Sequence, residues 1–142
     1  MIVYNYGKVC KNRIYSITTT ADSKYLFTSC TNTTVKQHNL ITHNLIRSYN
    51  NQEQFSMTCS ITTSHDCQYL FISESGGNIK QFNIITGQLH HTYHTRCSDC
   101  SVIWSMKATI DLRYLFVSYS DGVVKQYHIN THQLVWNYGP IH

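Results

Sequence analysis

An all-β fold of stacked four-stranded sheets is what this 142-residue sequence predicts, and three observations predict it. Tyr25, Leu26 and Phe27 recur as Tyr69, Leu70 and Phe71 and again as Tyr114, Leu115 and Phe116, at offsets of 44 and 45 residues. Downstream of each copy stands a second shared block: Val35, Lys36 and Gln37; Ile79, Lys80 and Gln81; Val124, Lys125 and Gln126. A third anchor, Tyr49, Tyr93 and Tyr138, keeps the spacing. Repeats of this length, made of short β-branched and aromatic runs between turn residues, are the pattern of a propeller blade, because each repeat is one small sheet that cannot bury its faces alone.

The third copy shows the elements in order. Residues 102–108 read as a first strand and 109–113 as the turn after it. Asp22, Asp66 and Asp111 occupy that same turn position in the three copies, where a short carboxylate accepts a hydrogen bond from backbone two residues on. Residues 114–119 form a second strand, apolar on both sides and therefore suited to burial between neighbouring sheets. Ser120, Asp121 and Gly122 make a tight hairpin into a third strand, 123–129, and Asn130, Thr131 and His132 turn the chain into a fourth, 133–138. Four strands per repeat place blades at residues 14–49, 58–93 and 102–138.

Val3-Tyr4-Asn5-Tyr6-Gly7 repeats as Val135-Trp136-Asn137-Tyr138-Gly139, an offset of 132 residues. Residues 2–6 are therefore expected to be the lone outer strand of a preceding blade. The pattern begins and ends between blades. Three blades leave two apolar sheet faces without a neighbour, so further blades are expected, from the same longer chain or from other copies.

Composition narrows the class. Hydrophobic residues make up 42% of the chain and charged residues 13%, with 11 tyrosines, which favours packed strands over disorder. The 11 Lys and Arg against 7 Asp and Glu leave a net charge of +4 without a run of like charges, a poor match to nucleic acid. Lys8, Lys11 and Arg13 are read as a solvated loop. No stretch approaches the ~20 apolar residues that span a bilayer, and residues 1–7 lack a secretory pattern. The expectation is a soluble, intracellular and cytoplasmic protein. Its six cysteines (Cys10, Cys30, Cys59, Cys67, Cys97, Cys100) do not recur at equivalent positions and are read as free thiols, Cys30 as a small buried hydrophobe.

With these residues in view the chain resembles the WD-repeat (WD40-like) family. Residues 121–125, Asp-Gly-Val-Val-Lys, resemble that family's turn into the third strand, and residues 85–89, Ile-Thr-Gly-Gln-Leu, its Thr-Gly turn before the fourth. The dipeptide that names the family is replaced: its Trp by His38, Phe82 and Tyr127, its Asp by Asn39, Asn83 and His128. The resemblance implies a buried hydrogen-bond network whose best surviving version would use Asp121, Ser118, Tyr127 and His94, with Asn32 and Gly76 standing where the first two blades would carry Asp121. It also implies a non-enzymatic scaffold for other proteins or peptides. Arg47, Arg96 and Trp136 are the candidate anchors.

Rival chemistry has one strong foothold. Cys97 and Cys100, two residues apart, with His90, His91 and His94 before them could supply four tetrahedral zinc ligands, an alternative reading with a structural or regulatory loop metal. No phosphate-binding glycine loop, helix-borne His pair or nucleophile turn is present, so neither catalysis nor a cofactor is expected. His38, His43, His128 and His132 fall near hairpins and strand ends, where hydrogen-bonded structural roles are expected.

Overall fold

The computed structural model describes residues 2–11, 13–30, 34–50, 58–75, 77–95 and 102–139. Twelve strands run through them: β1 (Ile14–Thr19), β2 (Tyr25–Cys30), β3 (Thr34–Asn39), β4 (Leu45–Asn50), β5 (Thr58–Thr63), β6 (Tyr69–Glu74), β7 (Asn78–Asn83), β8 (Leu89–His94), β9 (Ile103–Ala108), β10 (Tyr114–Tyr119), β11 (Val124–His128) and β12 (Leu134–Asn137). They form three antiparallel sheets, β1 to β4, β5 to β8 and β9 to β12, each in sequence order. This is the blade arrangement that the repeats predict.

Short connections set that topology. Antiparallel neighbours need only a tight turn, and each blade supplies turns with left-handed residues at matching places. Ser23, Cys67 and Leu112 carry φ of 61°, 63° and 65° after the first strand, while His43, Gly87 and His132 carry 66°, 75° and 64° before the fourth. A register shift between the third and fourth strands also repeats, at Gln37/His38, Gln81/Phe82 and Gln126/Tyr127. Such bulges increase local twist, which suits blades fanned around an axis.

The blades stack face to face, with first strands β1, β5 and β9 side by side. One core lies between blades 1 and 2, where Phe27, Val35 and Tyr49 meet Ile61, Leu70, Ile72 and Ile84. The other lies between blades 2 and 3, where Phe71, Ile79 and Tyr93 meet Met106, Leu115, Val117, Tyr127 and Ile129. Blades 1 and 2 thus present a Phe, Val or Ile and Tyr set forward, and blades 2 and 3 a largely aliphatic set backward.

One expectation changes. The cysteines are not all free thiols: Cys10 and Cys30 form a disulfide with Cα atoms 5.6 Å apart, because the N-terminal segment folds back against the end of β2, and Cys67 is a free thiol. Residues 2–6 pair with no strand among the described residues. Asn32, Gly76, Arg96, Cys97 and Cys100 lie outside the described residues.

The stacking makes a testable contrast. Phe71 is fully buried at a junction, so Phe71→Ala should destabilise the protein by about 3 to 5 kcal/mol, the usual range for a core aromatic. The equivalent Phe116→Ala, on a half-buried ring, should cost less than half as much in urea unfolding. Equal losses would contradict the stacking described.

Candidate interaction surface

Every blade holds its first turn with the same bonds. Thr20 Oγ1 donates to Asp22 Oδ1 at 2.6 Å, which also accepts from Lys24 N at 3.1 Å, while Tyr25 N donates to Thr20 Oγ1 at 3.2 Å. Ser64, Asp66, Gln68 and Tyr69 repeat the set in blade 2, and Thr109, Asp111, Arg113 and Tyr114 in blade 3. The Thr20 and Thr109 hydroxyls hold the Asp22 and Asp111 carboxyls below the ordinary carboxylate range.

A second repeated bond joins two of the sequence anchors. Tyr49, Tyr93 and Tyr138 each donate a phenol hydrogen to a glutamine Oε1 one strand away: Gln37 at 2.8 Å, Gln81 at 3.0 Å and Gln126 at 3.0 Å. Burial pushes the Tyr49 phenol up to about 12 and the Tyr93 phenol upward as well. The residues at the family's Asp position also have a job. Asn39 Oδ1 and Asn83 Oδ1 each accept two backbone N–H groups of the following hairpin, and His128 Nδ1 accepts one, from Thr131.

Between blades the contact has two parts. The anchor tyrosine meets the aromatic at the next blade's Trp position edge-on: Tyr49 on Phe82 at 5.1 Å and Tyr93 on Tyr127 at 5.7 Å. Two residues earlier, a planar group seats on the next blade's left-handed turn residue. His91 stacks on His132 at 3.7 Å. Arg47 lies against Gly87, where a Cβ would fall 1.8 Å from its guanidinium, and donates to Ile85 O at 3.1 Å. Arg47 is therefore a clamp between blades and not a free anchor.

Blade 3 repeats the forward-facing set without a partner among the described residues. Phe116 and Tyr138 pair at 6.5 Å as Phe27 pairs with Tyr49 at 6.2 Å and Phe71 with Tyr93 at 6.3 Å. Tyr49 and Tyr93 are 4% and 2% exposed, whereas Tyr138 is 56% exposed. Trp136, in the place of Arg47 and His91, is 60% exposed beside Tyr138. A shallow groove of about 630 Å³ along Lys107 to Asp111 and Phe116 continues this face.

The sequence-predicted residues of the buried network bond elsewhere. Asp121 Oδ1 accepts from Val123 N at 3.2 Å, Ser118 Oγ donates to Ser105 O at 3.3 Å, and His94 Nδ1 lies 3.1 Å from Asn78 Oδ1 on blade 2. Tyr127 is buried against Tyr93. Of the candidate zinc ligands, His91 is stacked on His132 and His94 sits at Asn78; no group of three or more metal-binding side chains occurs among the described residues. His43 bonds Tyr6 at 3.0 Å, but buried His38 Nδ1 has no hydrogen-bond partner among the described residues.

Two consequences are measurable. Tyr93→Phe strands the buried Gln81 oxygen and should cost about 1 to 3 kcal/mol, while Tyr138→Phe on the open face should cost almost nothing; equal effects would refute the difference in burial. His91, His132 and His38 are held below the ordinary histidine value of 6.5, first by burial and then by neighbouring cations. The folded state then binds fewer protons than the unfolded one, so stability is full above pH 6.5 and declines as the pH falls below it. His132→Asn, which tolerates the left-handed turn, should give a melting temperature that falls less steeply below pH 6.5 than that of the unaltered protein.

No family model matches the chain, and no curated protein does. Among solved structures it is similar to the crystal structure of the RRP9 WD40 repeats, with a TM-score of 0.81 and 13% identity over 89% of this chain and 38% of that one. It is likewise similar to the structure of U3-55K, with a TM-score of 0.82 and 13% identity over 92% of this chain and 40% of that one. The chain spans about two fifths of the length of these structures. Three four-stranded antiparallel sheets, stacked as blades, give it the fold of WD40 repeats in a β-propeller.

Proposed function

We propose that this chain is a non-enzymatic scaffold that binds other proteins through the open forward face of blade 3. The WD40 fold generally serves as an interaction scaffold rather than an enzyme. The single observation that carries the reading is the repeated Phe, Val or Ile and Tyr set, buried at two junctions and uncovered at the third. An exposed planar aromatic such as Trp136, beside Tyr138, is the kind of side chain that dominates protein interfaces. A protein, a peptide or a further blade each presents the apolar surface this face requires.

Protein suits the charge better than nucleic acid does. Lys36 Nζ donates to Val9 O at 2.7 Å, Lys80 pairs with Glu74 at 3.0 Å and Lys125 Nζ donates to Thr95 O at 3.1 Å, so these repeated lysines hold the fold together. No helix among the described residues is long and apolar enough to cross a membrane. The setting we propose is intracellular and cytoplasmic, where thiol reductants would keep the Cys10 and Cys30 pair open.

The test is photo-crosslinking in cells with benzoylphenylalanine at position 136, compared with the same group at exposed position 24. Adducts to identified proteins that form at 136 and not at 24 are expected. The same adducts at both positions, or none at 136, would overturn the assignment of this face.

A further inference from the structure

We infer that residues 3–10 are a built-in cap, which occupies on blade 1 the place where blade 3 of a second copy would dock head to tail. This rests on reading blade 3's forward face as a docking surface. The cap copies the end of blade 3 in sequence, Val3-Tyr4-Asn5-Tyr6-Gly7 against Val135-Trp136-Asn137-Tyr138-Gly139. One turn bond recurs with it: Gly7 N donates to Asn5 Oδ1 at 2.7 Å, and Gly139 N to Asn137 Oδ1 at 2.8 Å.

The contacts of the cap on blade 1 are those of one blade on the next. Tyr6 meets His38 edge-on at 5.6 Å, as Tyr49 meets Phe82 and Tyr93 meets Tyr127. Tyr4 stacks on His43 at 3.7 Å and 10°, as His91 stacks on His132 at 3.7 Å and 11°. Lys36 donates to Val9 O where Lys125 donates to Thr95 O. Cys30, at the end of β2, is bonded to Cys10, while Tyr119 at the equivalent end of β10 donates to Thr95 O at 2.6 Å. Three matched contacts and one matched tether make blade 1's back a seat for an outer strand, and Trp136 and Tyr138 are that strand's uncovered counterparts.

The occupant is therefore a second copy of this chain, because its β12 carries the motif the seat already holds. A head-to-tail contact of this kind is heterologous and propagates until it closes into a ring. The cap blocks it in cis, and the Cys10–Cys30 bond fastens the cap. A dithiol reductant opens the fastening: the S–S bond breaks, each sulfur gains one electron and one proton, and the reductant becomes a disulfide.

Light scattering and sedimentation of the purified full chain test this. Oxidised protein should run as a 16.5 kDa monomer. Tyr4→Ala/Tyr6→Ala/Cys10→Ser should associate into multiples of that mass, and adding Trp136→Ala/Tyr138→Ala should restore the monomer. A capless variant that stays monomeric with its strand circular dichroism intact overturns the inference, as does association that survives loss of Trp136 and Tyr138. Should the capless variant not fold, a fluorescein-labelled peptide of residues 133–139 gives the second readout on unaltered protein. Its binding should be at least about tenfold tighter in dithiothreitol than after oxidation, the factor for a competent population reduced to about a tenth. Equal binding in both states, or none, overturns the cap. Foreign-protein crosslinks at position 136 without self-association would sink the cap while leaving the scaffold reading intact.

Discussion

A sheet that is apolar on both faces must be covered on both, and that constraint orders the whole molecule. Apolar burial is worth about 25 cal/mol per Å², so a second strand as apolar as Leu70, Phe71 and Ile72 is stable only between neighbours. The stacking decides what each repeated residue experiences. The same phenylalanine is fully buried at positions 27 and 71 and only half-buried at 116. Chemistry does not distinguish the three; a neighbour does.

The junction itself tolerates varied chemistry as long as its shape is kept. A planar group two residues before the anchor tyrosine lies flat on a left-handed turn residue, and a phenol, a guanidinium and an imidazole all fill that role at Tyr4, Arg47 and His91. The seat varies with the knob. Imidazole rings at His43 and His132 accept a ring in a stack, whereas the guanidinium of Arg47 lies where a Cβ at position 87 would fall, so a larger residue there must displace it. The edge-on contact beside it behaves likewise, with His38, Phe82 and Tyr127 each presenting a ring to a tyrosine. The geometry is thus the same with differing rings, and Asn39, Asn83 and His128 each accept backbone N–H groups of the hairpin that follows.

Much of this was legible in the sequence, for a local reason. Strand runs and Asp-centred turns depend on residues a few positions apart, so the bonds of Asp22, Asp66 and Asp111 to backbone two residues on could be read directly. The paired anchors Gln37 and Tyr49 were visible as two separate repeats, and their joint recurrence was the available signal for the bond between them. The Cys10–Cys30 bridge left no such trace, because it depends on a segment folding back over a blade and occurs once. Arg47 is a candidate anchor from the sequence, yet its bond to Ile85 crosses 38 residues to the next blade, beyond the reach of a local pattern. Asp121, Ser118 and His94 were grouped by analogy, and their own nearest backbone and side-chain neighbours claim them first.

The two ends of the stack differ in a way that the internal junctions explain. Behind blades 2 and 3 the second and third strands present Ile72 with Phe82 and Val117 with Tyr127, all suited to a dry interface. Behind blade 1 the same places hold Thr28 and His38, and His38 keeps a buried ring nitrogen without a hydrogen bond. A buried polar atom of this kind costs about 1 to 3 kcal/mol against a fully apolar neighbour, so blade 1's back is a weaker seat than either internal one. A weaker seat suits a short segment held by two tyrosines and a disulfide better than it suits a permanent blade. On the forward face of blade 3, Phe116, Val124 and Tyr138 repeat the sets that are buried at both internal junctions. Among the described residues the more apolar of the two end faces is thus that of blade 3, and the more polar one is the face against which residues 4 and 6 pack.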